Sequence, residues 1–485
     1  MFSKNNLRLV IVISFFNTTL SQAGTTLITN VKIINHHAEL ENQAVDILIT
    51  EEIISNIGHV NTKADRIING KGKYLIPGLI DSHVHLEGVP GLKGDASKEQ
   101  LLQHVGLSQV PKSYLYFGFT TVLDLASHTS FINQWNTQQL APEALYCKAS
   151  SILNGYPMVY AGDTTAQLSS PMAYSQLYDK NQSAQYPTDF PIKQHLPKQL
   201  VKKAKQEGAI CIKAFYETGF GIRKNLAVPT QSLIRDLKRY ADQENMPLFL
   251  HANSSEAYEF AIQTKVSVLA HGIWHSRGKD IVPLIQNIAN QGMSVQPTFT
   301  VLDGELELFN PSFFSDKTVR AAIPSSLLHY YKSEKGQWFK QVISKGLDRS
   351  KGNNEYSKAK EQYKFPQQTH RQGVQLLLAH NANLVFGSDT PSGPIYTQFP
   401  GLNGFREIQA WVAAGVDLKT LFKSLTIRNA TLLGIQNRVG SIKEGMQADL
   451  LLLNENPLDN AQAYNSIETI IINGQAVARE SLAAK

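Results

Sequence analysis

Apolar residues along this chain of 485 residues recur with two different spacings, and the places where one gives way to the other outline its architecture. Near the start, Thr26–Ile34, Val45–Thr50 and Ile53–Ile57 are short β-rich segments broken by polar turns. Near the end, Asp449–Leu453, Glu468–Ile472 and Gln475–Val477 repeat the pattern, with Asn473-Gly474 as a hairpin turn. Neither end has enough strands for a sheet of ordinary size, so the simplest expectation is one small β-sandwich built from 24–72 and 435–485 together. The stretch between them, 73–434, alternates apolar runs with helical patterns such as Gln231–Glu244 and Ser254–Gln263. The strand candidates are Leu75–Val84, Thr120–Leu125, Cys147–Leu153, Ala209–Phe215, Leu248–His251, Val266–Ala270, Ser294–Gln296 and Asn383–Gly387. Strands alternating with helices predict an α/β fold, a (β/α)8 TIM barrel inserted into the sandwich. A doubly wound open sheet is the alternative.

Three connections are too long for tight loops: 86–112, 154–200 and 300–366. In a barrel they follow strands 1, 3 and 7 and crowd the C-terminal face, where long loops build the pocket or a lid. The last is rich in Phe, Tyr and Lys, reads as partly helical, and is expected to govern substrate choice.

Composition narrows the function classes. A hydrophobic fraction of 42% and a charged fraction of 18% are ordinary for a globular protein. The net charge of +6 is small for this length, and no dense Lys/Arg stripe suggests nucleic-acid binding; Lys202–Lys203 reads as a solvated helix face. Residues 1–23 read as a signal peptide: Lys4 and Arg8, the apolar run Leu9 to Phe16, then Ser21-Gln22-Ala23 as a cleavage site. The run is shorter than the roughly 20 residues of a membrane span. The expectation is export to the periplasm or medium, with no membrane attachment after cleavage. Only Cys147 and Cys211 are present, both in apolar strand-like runs, so free buried thiols are expected and a bridge is the alternative.

The chemistry gathers at strand ends. Pro77-Gly78-Leu79-Ile80-Asp81-Ser82-His83-Val84-His85 is a buried apolar run ending in His-x-His. A side-chain period of two points His83 and His85 the same way, and two neutral imidazoles make half of a first-row metal site. His36-His37, in the β-rich end, shows that paired histidines alone mean little. Leu248 to His251, Val268 to His271 and Val385 to Asp389 each end an apolar run on a possible ligand, as barrel enzymes arrange their catalysts. Each one alone could be a packed His or a helix-capping Asp. The fourth strand ends Ile210-Cys211-Ile212-Lys213-Ala214-Phe215. A protonated Lys cannot ligate a cation, but a buried neutral amine can add carbon dioxide and offer two carbamate oxygens. An ion pair with Glu217, or a direct contact to a substrate anion, accounts for Lys213 equally well.

Taken in order, these motifs resemble the amidohydrolase superfamily, particularly its imidazolonepropionase-like and prolidase-like metal hydrolases. The carriers are 77–85, Ile-Lys-Ala-Phe at 212–215, His-Ala-Asn at 251–253, Ala-His-Gly at 270–272 and Gly-Ser-Asp-Thr at 387–390. Further matches are Thr426 to Leu433 before Gly434, Gly440-Ser441-Ile442 to Glu444-Gly445, and Ala448-Asp449-Leu450, so the likeness covers nearly the whole mature chain. The resemblance implies His83 and His85 on a first metal, His251 and His271 on a second, a carboxylated Lys213 bridging them, and Asp389 as ligand and catalytic base. Zinc is the default pair of divalent ions, with manganese, cobalt or iron as alternatives. Tyr216, His275 and Arg223 are candidates for substrate contact on the barrel loops. The implied reaction is hydrolysis of a C–N bond of a small molecule by a metal-bridging hydroxide, on a dipeptide (prolidase-like) or an N-acyl amino acid. Hydrolysis of a lactone, ester or phosphotriester, or a non-catalytic binding role, are the alternatives. A homo-oligomer is compatible with the resemblance.

Overall fold

The computed structural model describes residues 24–36, 43–93, 97–170, 175–219, 224–348 and 350–485, so the segment expected to be a signal peptide lies outside the described residues. Two sheets carry the fold. The first has eight strands drawn from both ends of the chain. Its order runs Gln475–Ala478, Ile467–Ile472, Leu450–Leu453, Tyr74–Pro77, Thr25–Ile33, Ala44–Thr50 and Ile53–Gly58, while Arg66–Asn69 pairs with Thr25–Ile33. The alternation along its central strands explains why they read as continuous apolar runs. Leu75, Leu450 and Leu452 join Ile28, Val31 and Ile47 in the sheet's own core. Ile76, Leu451 and Leu453 face the other way, into the main core shared with the barrel. Each Leu in Leu450–Leu453 is therefore buried, from one side or the other.

The second sheet is parallel throughout its eight principal strands: β1 Leu79–Val84, β2 Phe119–Asp124, β3 Glu143–Ile152, β4 Cys211–Phe215, β5 Leu248–His251, β6 Val268–Ala270, β7 Ser294–Gln296 and β8 Asn383–Leu384. Bonds from Ser82 N to Phe386 O, Asp389 N to His83 O and His85 N to Thr390 O join the two edges, giving the (β/α)8 barrel. Interior positions are filled by Ile80, Leu123, Cys147, Cys211, Phe249, Val268 and Val385. Ile212, Leu248, Leu250 and Leu269 point outward to the helices. Among the described residues no helix is long and apolar enough to cross a membrane.

Three expectations are corrected. Leu75–Val84 is not one strand. Tyr74–Pro77 belongs to the terminal sheet and Leu79–Val84 to the barrel, and the chain changes sheets at Gly78. Gly78 N donates to Asp449 O while Leu79 N donates to Gly118 O. A Cβ at Gly78 would lie 2.0 Å from Thr120 Oγ1, so only glycine passes so close to β2. The run Asn383–Gly387 keeps only its first two residues as regular strand, because the remainder bonds irregularly to β1 and β7 on its way to Asp389. Finally, Cys147 and Cys211 are not free thiols. They are direct partners in the β3–β4 register and form a disulfide with Cα atoms 4.4 Å apart. Both belong to the barrel's interior cluster.

The long connections do gather helices. Residues 300–366 hold Thr300–Glu307, Lys317–Ala322, Ser325–Lys332, Trp338–Ser344 and the start of Glu355–Ala379. Tyr331 donates its hydroxyl to Pro90 O, and Trp338 its indole N–H to Gly91 O. The insertion after β7 is thereby fastened to the loop after β1.

Candidate metal centre

At the C-terminal mouth of the barrel, the strand ends bring together side chains from positions 83 to 389. His83 Nε2 and His85 Nε2 each lie 3.1 Å from Asp389 Oδ1. Ligand atoms of these three residues fall within 4.8 Å of one another. On the opposite side, His251 Nδ1 is 3.0 Å from His271 Nε2. Bonds of 2.0–2.1 Å to a tetrahedral ion put neighbouring ligand atoms about 3.3 Å apart. Both groups already have the spacing that such a cation requires.

Backbone geometry is specialised at two of these positions. Asp389 has φ +53° and His271 φ +91°, left-handed values that non-glycine residues avoid. Strain of this kind persists only where surroundings enforce it. For Asp389 they do. The buried carboxylate of Asp81 accepts from Ser388 N (3.0 Å), Ser388 Oγ (2.5 Å) and His83 N (3.2 Å). Asn403 Nδ2 donates to Thr390 Oγ1 at 2.7 Å, holding the other neighbour of Asp389. Gly387 fits the same clamp, because a Cβ there would meet His83 Cβ at 2.7 Å.

Electrostatics prepare the donors. Burial keeps the His83 imidazole neutral, its pKa lowered to about 4, and pushes His271 down too. Burial opposes the charge of Asp389 as well, but the surrounding histidines outweigh it and hold this carboxylate well below the usual range. Lys213, 2% exposed, is the unusual member. Its Nζ has no hydrogen-bond partner among the described residues, and burial lowers its pKa to about 7. Glu217, the ion-pair partner weighed from the sequence, is occupied otherwise: Glu217 Oε2 lies 3.1 Å from His251 Nε2 and accepts from Asn253 Nδ2 at 2.8 Å. The donor set fits divalent metal ions: four imidazoles, an ionised carboxylate, and one buried amine without a hydrogen-bond partner among the described residues.

Further residues orient these groups, and motif reading did not single them out. Asp124 Oδ1 is 3.8 Å from His85 Nδ1, while its carboxylate accepts from Leu86 N and Ala126 N. Thr298 Oγ1 is 2.8 Å from His271 Nδ1. A carboxylate or hydroxyl behind an imidazole fixes which nitrogen faces the ion. The available signal was positional: Asp124 closes β2 and Glu217 follows β4.

The three substrate candidates fall differently. Tyr216 packs its ring at a tilt against Phe260 of the outer helix Ser255–Thr264, with ring centroids 4.7 Å apart. It therefore packs away from the histidines, contrary to the expectation of substrate contact. His275 is exposed at the rim, near enough to Glu217 to interact with its charge. Arg223 lies outside the described residues.

Comparison with known proteins agrees with this geometry. Residues 74–477 match the amidohydrolase family. A dihydroorotase from Pediococcus pentosaceus is 33% identical over 100 residues, which are 20% of this chain and 20% of that protein. The chain thus spans about a fifth of the length of that relative. Among solved structures, a Xaa-Pro dipeptidase with methionine bound in its active site superposes with a TM-score of 0.64 at 19% identity, covering 94% of this chain and 100% of the other. An A. niger ochratoxinase gives a TM-score of 0.66 at 17% identity, covering 94% and 96%. Likenesses this distant speak for the fold, while the family match extends from the strand before the His-x-His pair into the terminal sheet. On that match the chain belongs to the amidohydrolase family, and its strand ends assemble a group able to hold a metal ion.

Proposed function

We propose that the protein hydrolyses a C–N bond of a small substrate, a dipeptide or an N-acyl amino acid, using two divalent ions. His83, His85 and Asp389 would hold the first ion, His251 and His271 the second, and Lys213, as a carbamate, would serve both. The observation that carries this reading is Lys213. A buried amine with no hydrogen-bond partner among the described residues and a pKa near 7 is the form that adds carbon dioxide. When bound, the ions supply polarisation of the scissile carbonyl and a water acidic enough to ionise near neutrality. Zinc is the first choice for so many imidazoles.

The protein's own groups do the rest. Asp389 is ionised and its backbone is clamped, so it can accept a proton and return it to the leaving amine without moving. Glu217 and Thr298 fix the faces that His251 and His271 present.

The test is hydrolysis by metal-loaded protein of dipeptides and N-acyl amino acids against lactones and phosphotriesters, with metal counted per chain. Two ions per chain and amine release are expected. Activity confined to lactones or phosphotriesters overturns the reading. Lys213→Ala should lose metal, and added propionate should restore part of the activity by replacing the carbamate oxygens.

We further propose that the enzyme is exported after removal of residues 1–23. The basic, apolar and small-residue pattern of that segment supports this, as does the Cys147–Cys211 bond, because disulfides persist mainly in oxidising compartments. The exported protein is expected to begin at Gly24.

A further inference from the structure

A cavity of about 540 Å³ opens beside the metal centre, with His85 on one wall and Pro391, two residues beyond Asp389, on another. Its volume lies in the range of small-molecule sites. Val89, Leu92 and Pro394 make part of its lining apolar. The polar groups are few and can be accounted for one by one. His85 is a metal-ligand candidate. Glu87 already accepts from Ser127 Oγ at 3.1 Å and lies 2.9 Å from His128 Nδ1, so its charge is engaged at the rim. Gln103 offers a neutral amide. Lys93 has no carboxylate within ion-pair distance among the described residues; its ammonium sits 5.1 Å from the centre of the Trp338 indole.

The wall that carries Lys93 is built. Tyr331 and Trp338, both from the insertion after β7, hold Pro90 O and Gly91 O at 2.6 and 2.9 Å. Lys93 N donates to Glu99 Oε2 at 3.1 Å. An exposed lysine ordinarily samples many rotamers, whereas a cation resting on an indole face is confined near one place.

We propose that this cavity is the recognition site for the leaving half of the substrate, and that Lys93 binds its carboxylate. The class assigned is an amide whose amine side is an amino acid with an apolar side chain and a free α-carboxylate. The apolar side chain lies against Val89, Leu92 and Pro394, and the carboxylate meets the one cation of the cavity lining that has no carboxylate partner among the described residues. The assignment rests on the C–N hydrolase reading above.

Binding separates the two. Calorimetric titration of the metal-loaded chain with N-acetyl-L-leucine and with N-acetyl-L-leucinamide gives a preference ratio for the carboxylate. That ratio is expected to fall at least fivefold in Lys93→Met, which keeps the aliphatic stem, and to invert in Lys93→Glu. Added salt should shrink it in the wild type, since a partly exposed pair is screened. An unchanged ratio in both variants, or no binding of N-acetyl-L-leucine by the wild type, overturns the assignment. Should the charge preference follow Lys93 while no C–N substrate is cleaved, the site stands and the reaction reading fails.

Discussion

His251 Nδ1 lies 3.0 Å from His271 Nε2, and the far nitrogen of each ring is held from behind, by Glu217 in one case and Thr298 in the other. The ionised carboxylate of Glu217 makes His251 Nε2 the protonated nitrogen and leaves Nδ1 as a lone pair facing His271. Glu217→Gln removes that bias, because an amide can present either a donor or an acceptor. Affinity for the second of the two proposed ions is expected to fall about 10–100-fold, the usual cost of losing such an orienting partner. Chelator-competition titration of the two ions measures it. Equal weakening of both ions would argue for a general structural role.

Asp389→Asn keeps the shape of the side chain and removes its capacity to take a proton. General acid–base groups contribute about 10²–10⁴-fold, so kcat should fall within that range in protein whose metal content is verified. A rate equal to wild type would dismiss Asp389 as the base.

Metal uptake should release protons. Burial opposes the imidazolium of His85, but Asp124 and Asp389 outweigh it and raise the pKa to about 9. At pH 7 the metal-free ring is therefore charged and must lose its proton to ligate. Apparent affinity for the first ion should rise as pH increases from 7 to 9 and level off above. Calorimetry in buffers of differing ionisation enthalpy counts the protons; a flat affinity over this window would refute the assignment of His85 as a ligand.

The terminal sheet carries its own pH dependence. Burial raises the pKa of Asp449 to about 7, against the bonds it accepts from Asn473 N and Gln447 Nε2. Its folded pKa exceeds its unfolded one, so the contribution to stability is full below about pH 4 and is lost as pH rises through 7. The neutral isostere Asp449→Asn lacks this dependence. Its thermal midpoint relative to wild type should climb between pH 4 and 7, by an amount equivalent to at most about 4 kcal/mol. A constant difference across that range would count against a buried protonated Asp449.

Much of this was legible in the chain because barrels repeat one local rule. His83, His251, His271 and Asp389 each follow an apolar run, and the alternation that turned Cys211 inward turned Lys213 inward with it. The same alternation put Phe215 beside His251 and sent Tyr216 out to Phe260, so the residue's parity along β4 already places it on the helix side. Other features depend on register. Cys147 and Cys211 are 64 positions apart and become neighbours only because β3 and β4 pair in one particular alignment. Asp124 and Glu217 carry no motif of their own, and their value appears only once His85 and His251 stand beside them.

Gly78 joins two bodies that have separate duties. On one side of it, four residues sit between strands from opposite ends of the polypeptide; on the other, five positions on, comes His83. Trimming either extremity would unpick neighbours of Tyr74–Pro77, and with no slack in between the disturbance would travel straight to the first imidazole. The terminal sheet thus acts as the anchor from which the candidate metal ligands hang.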